Sequence, residues 1–153
     1  MSERVPIGPV QRAETQQAIG RELVAAAPRD WNRLWYEFRA TIQIDADMFE
    51  SISAAGNATR LSAPLLIMEL FAELRSATYQ PGKGTWFTVR CSIDRSHAWT
   101  MDFDYEGEPA FNPQLTPDAF ALDLEYFPRD TAHTPQWLSD MFEPDGIRSA
   151  PKS

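Results

Sequence analysis

TWFTVRCSIDRSHAWTMDFDY, residues 85–105, decides the fold. Phe87, Val89, Cys91 and Ile93 alternate with Trp86, Thr88, Arg90 and Ser92. Trp99, Met101, Phe103 and Tyr105 then alternate with Thr100, Asp102 and Asp104. A period of two belongs to strands with one buried face. Asp94-Arg95-Ser96 separates the runs, so the spacing predicts a hairpin with strands over Thr85–Ile93 and His97–Tyr105. The pleat then turns Trp99, Met101, Phe103 and Tyr105 inward and sends Trp86, Asp102 and Asp104 to the opposite, solvated face.

Upstream, Leu34, Tyr36, Phe38, Ala40, Ile42 and Ile44 carry the same alternation, which predicts a strand over Leu34–Ile44. A weaker strand is expected at Met48–Ser53, ended by a Gly56-Asn57 turn. Helical patterns lie on either side. One runs from about Val10 to Ala27 and is stopped by Pro28. A second starts at Ser62 and carries Leu66, Leu70 and Leu74 as an apolar stripe to about Thr78. Thr116-Pro117-Asp118 and Thr134-Pro135 mark two further helix starts. Residues 144–153 read as a disordered tail. The expectation is one domain over residues 1–143, of α+β class, with an antiparallel β-sheet of about four strands packed on one side against helices.

A chain of 153 residues suits a single domain that folds without disulfide or metal. With 43% hydrophobic residues it has the composition of a globular protein rather than a disordered one. Cys91 has no cysteine to pair with and sits mid-strand, so a buried packing role is expected. The opening MSERVPIGPVQRAET lacks the apolar run of a signal peptide, and the apolar window Ala63–Leu74 is interrupted by Glu69 and Glu73. A cytoplasmic protein is expected.

Charge is unevenly spread. Residues 94–145 hold twelve acids and two arginines, net −10, whereas the whole chain is −8. That balance argues against a nucleic-acid footprint and suits a basic protein partner. Its densest part is Asp102, Asp104, Glu106 and Glu108, one acid at every second residue.

Catalytic and metal readings of these acids are weak. Asp102-x-Asp104-x-Glu106-Gly107 begins like a calcium loop, but its twelfth position is Pro113 and a strand leads into it. His97, His133 and Cys91 lack zinc-ligand spacing. A D-x-D nucleophile belongs at the end of a parallel strand, which this pattern does not supply. No G-x-S-x-G occurs, and Gly82-Lys83-Gly84 is too short for a phosphate loop. No metal, cofactor or catalytic residue is expected. A small metal-dependent enzyme using Asp102 and Asp104, and a plain adaptor domain, remain the rival readings.

Four stretches carry a resemblance: APRDWNRLWYEFRATI, LFAELRSAT, GTWFTVRCSIDRSHAWTMDFDYEGEPAF and LDLEYFPRD. Trp99 followed by Phe103-Asp104-Tyr105, and then Glu125-Tyr126-Phe127-Pro128-Arg129, are its most telling parts. Over roughly residues 20–142 the chain resembles the YezG-like (DUF600) family. It departs at SISAAGNAT and in the proline-rich link around Pro113 and Pro117. The resemblance implies an immunity protein that neutralises the toxin domain of a secreted polymorphic toxin, the known toxins including nucleases. On that reading Asp102, Asp104, Tyr105, Glu106 and Glu108, with Trp86 as an aromatic anchor, are the expected partner-binding residues, and the partner is a toxin domain.

Overall fold

The computed structural model describes residues 8–143. The tail expected at residues 144–153 lies outside the described residues. In chain order the elements are α1 (Pro9–Ala25), β1 (Trp31–Ala40), β2 (Asp45–Ser53), β3 (Ala58–Leu61), α2 (Leu65–Ala77), β4 (Thr88–Asp94), β5 (Trp99–Asp104), α3 (Pro117–Tyr126) and α4 (Gln136–Asp140), with a single 3-10 turn at Thr131–His133. The sheet is antiparallel throughout, in the order β3-β2-β1-β4-β5. This is the expected α+β architecture, with one more strand than the pattern showed.

That extra strand, β3, is short and mostly exposed, so it carries no alternation to read. The β1–β2 connection also differs from expectation. The alternation of Ile42 and Ile44 suggests a continuing strand, yet β1 ends at Ala40 and both isoleucines are exposed. A tight turn forms because Thr41 Oγ1 accepts from the Ile44 N–H and the Thr41 N–H donates to the Ile44 carbonyl. A threonine hydroxyl here does the work usually signalled by Gly or Asn.

One face of the sheet carries the main core. Leu34, Tyr36, Phe38, Phe49, Val89, Cys91 and Ile93 meet Ile19 and Leu23 of α1 and Ile67, Phe71 and Leu74 of α2. The Phe71 ring lies nearly parallel to that of Tyr36, centroids 5.6 Å apart, and the Tyr36 hydroxyl donates to Asp47 at 2.8 Å. Cys91 is buried as expected, and burial pushes its thiol up to about 12. The other face bears Trp35, Glu37, Arg90 and Asp102, none of them fully buried.

A second, smaller cluster joins Phe87 to Phe120 and Leu138 of α3 and α4. Regular alternation would put Phe87 on the face of Val89. Instead, the Phe87 N–H donates to the Asp104 carbonyl while Thr88 is Asp104's register partner, so two residues oppose one. Such a bulge re-aims side chains. Here it sends Phe87 to the second cluster.

Between the two clusters lies a buried ion pair. Arg75 at the end of α2 and Asp123 of α3 meet through two parallel N–H···O bonds of 2.8 and 2.9 Å, with both side chains almost fully enclosed. Arg75 Nε also donates to the Trp86 carbonyl, and Asp123 accepts the Ile42 N–H at 2.7 Å. Each guanidinium nitrogen and each carboxylate oxygen thus has a hydrogen-bond partner, which a buried pair requires.

Candidate functional site

The acidic stretch leaves β5 as a loop held from three directions. The first hold is its own Asp104. That carboxylate accepts the Gly107 N–H at 2.9 Å, the Glu106 N–H at 3.2 Å and Arg90 Nη1 at 3.3 Å. Burial alone would raise its pKa, but the Gly107 N–H, the Arg90 guanidinium and the Glu106 N–H outweigh it and hold the carboxyl below its ordinary value. Gly107 is required by the close approach, because a Cβ there would lie 2.6 Å from Asp104 Oδ2.

Arg129 is the second hold. Its side chain is 1% exposed and stacks 5.0 Å over the Phe87 ring. Nη2 donates to the carbonyls of Tyr105 at 2.7 Å and Thr85 at 2.9 Å, and Nη1 donates to the His133 carbonyl. A planar fork of five donors suits three carbonyls arriving from different directions. Gly84, at φ +77, makes room for it, since a Cβ there would come within 2.6 Å of Arg129 Nε. The third hold is Trp137 of α4, whose indole N–H donates to the Glu106 carbonyl at 2.6 Å.

The expected partner-binding residues divide under this geometry. Asp102 is exposed on the outer face, opposite Arg90 in register. The Glu106 side chain is 60% exposed, its carboxylate 3.9 Å from Arg129 Nη1, and Glu108 is exposed as well. Asp104 is engaged internally, and it shares the Arg90 guanidinium with Glu37. Tyr105 is half-buried against the main core.

Trp86 requires a correction. Strand alternation turned it outward, but β4 begins only at Thr88, and the irregular segment before it drives Trp86 inward. It is fully buried, donates from Nε1 to Thr78 Oγ1 at 3.2 Å and meets the rings of Phe38, Phe71 and Phe103. It is a core residue and presents nothing to a partner. Trp99 departs in the opposite sense. It was expected inward, but at the end of an edge strand it remains 36% exposed.

Sequence reasoning missed Arg129, Trp137 and the Arg75–Asp123 pair. One signal was available for Arg129, which is one of only two bases in residues 94–145. Because it is buried, the surface of that half is still more acidic than the composition suggests. Among the described residues no group of three or more His, Cys, Asp or Glu is arranged to hold a metal ion, and no helix is long and apolar enough to cross a membrane. Compared with known proteins, the chain matches no family model and no curated relative.

Proposed function

We propose that this chain is a stoichiometric inhibitor of the immunity type, which binds the basic cleft of a cognate toxin enzyme and occludes it. The supporting observation is the acidic loop itself, in which Asp102, Glu106 and Glu108 are exposed on a backbone held by Asp104, Arg129 and Trp137. A loop fixed before binding loses little conformational freedom on docking, so more of its electrostatic attraction is realised as affinity. Its carboxylates can stand where substrate phosphates would, pair with Lys and Arg of the cleft, and steer encounter. The resemblance to the YezG-like family points the same way.

Binding is favoured over metal-dependent catalysis by the surroundings of Asp104. Two N–H groups and a guanidinium crowd its oxygens, which is a donor environment unlike that of a cation site. The test uses affinity capture from the native strain, identification of the captured protein, and titration of its enzymatic activity with this chain. The expected result is inhibition that ends at one equivalent. A triple Asp102→Lys, Glu106→Lys, Glu108→Lys variant, shown by its melt to remain folded, should bind at least ten-fold more weakly, at about 1.4 kcal/mol per factor of ten. Unchanged affinity and inhibition in that variant would remove the acidic loop from the interface.

A further inference from the structure

Among the described residues the β5 edge of the sheet is open and asymmetric. β5 is the last strand in the order and, among those residues, pairs only with β4. The Asp94 N–H donates to the Ala98 carbonyl at 3.0 Å, which sets the phase of the ladder. Thr100 and Asp102 therefore turn their backbone groups toward β4, and Trp99, Met101 and Phe103 turn theirs away from it. An exposed row of this kind is a template for another strand. The opposite edge is blunted by the shortness of β3, four residues, whereas β5 has six, no proline and continuous register from Trp99 to Asp104.

The two flanks of that edge differ. On the core side, Trp99, Met101 and Phe103 are followed by a groove of about 400 Å³ between β5 and α1. Gly20 and Val24 of α1, with Ile93 and Trp99, give it apolar lining, and Arg21 and His97 line it as well. On the outer side lie Asp102 and Asp104, followed by Glu106.

We propose that the β5 edge receives an extended segment of the partner protein as a sixth strand, a segment that alternates apolar with basic residues. This rests on the function proposed above and states how the partner is read. Main-chain bonds to Trp99, Met101 and Phe103 supply affinity, and alternate side chains supply specificity. Side chains on the core flank enter the groove, which has this apolar lining and where Arg21 would repel a cation, so these are apolar. Side chains on the outer flank meet Asp102 and Glu106, so these are Lys or Arg. A second copy of this chain fits poorly, because its own Asp102, Asp104 and Glu106 would come to the same edge, and like charges across a ladder destabilise pairing.

The test uses a short synthetic peptide alternating Leu and Lys, together with two N-methylated forms, one methylated at every Leu and one at every Lys. Whichever direction the peptide runs, the amides facing β5 all belong to one residue type. One methylated form should therefore bind at least ten-fold more weakly than the parent while the other binds as the parent does. Amide exchange at Met101 and Phe103 should slow on binding. Trp99→Ser, whose melt confirms folding, should also weaken the parent peptide; unchanged affinity there overturns the groove's role. If both methylated forms bind like the parent, with NMR shifts confined to Asp102, Glu106 and Glu108, the edge proposal fails and the acidic-loop reading stands. If the parent peptide does not bind, the edge proposal fails, and the inhibition titration above judges the acidic loop separately.

Discussion

Asp104 is the residue on which the acidic loop turns. Its carboxyl has a lower pKa folded than unfolded, so the stabilisation it gives is fully present above the unfolded value and is lost as pH falls through the folded one. Asp104→Asn removes the charge while keeping the shape. The variant should be about 1 kcal/mol less stable than the parent near neutral pH, the scale of a net hydrogen bond. That difference should narrow as pH falls below about 4, the ordinary Asp value at which the unfolded chain takes up its proton, and on through the lower folded value. Thermal melts across pH would check this, and a gap that stays constant into acid would show that the charge is not what holds the loop. Asp102, two residues earlier on the same strand, is exposed.

At the scale of the element, β5 tests the register. Phe103 lies against the Trp86 ring, centroids 5.4 Å apart, and packs on the main core, while Asp102 faces out. Phe103→Ala should cost about 2–4 kcal/mol, somewhat below the usual range for a fully buried Phe because this one is only partly enclosed. Asp102→Asn should change stability by less than about 1 kcal/mol. Equal losses for the two in denaturant titrations would mean that the strand is out of register by one residue. This hairpin was legible because its alternation is strict and a turn sequence interrupts it. The β1–β2 turn was not, since its isoleucines keep the strand period and only Thr41 marks the corner. Trp86 was misread for a related reason, because a bulge leaves no trace in the spacing of side chains.

Across the whole molecule, two apolar clusters are joined through a charged one. Asp123→Ala would leave Arg75 buried without its counter-charge and the Ile42 N–H without an acceptor. Such a loss is expected to cost about 3–5 kcal/mol. Replacing both partners with Leu should cost less than Asp123→Ala alone. Chemical denaturation of the single and double variants would test this, and a double variant less stable than the single one would contradict it. The fold class and the acidic bias were readable from composition and period. The internal anchors were not, because a buried Arg looks in sequence like a surface Arg. Only the fold brings Arg129 of the FPRD turn beside Tyr105, or Arg75 beside Asp123.

Arg129 and Trp137 grip the acidic loop through hydrogen bonds to the main-chain carbonyls of Tyr105 and Glu106, beside a longer ion pair of 3.9 Å from Arg129 to the Glu106 carboxylate. Those two hydrogen bonds therefore do not depend on which side chain stands at 106, whereas Gly107 is constrained by its contact with Asp104. Substitutions at position 106 can accumulate without breaking them. If the loop binds a partner as proposed, a lineage could retune that contact at position 106 through folded intermediates, while selection on stability falls on the distant arginine and tryptophan.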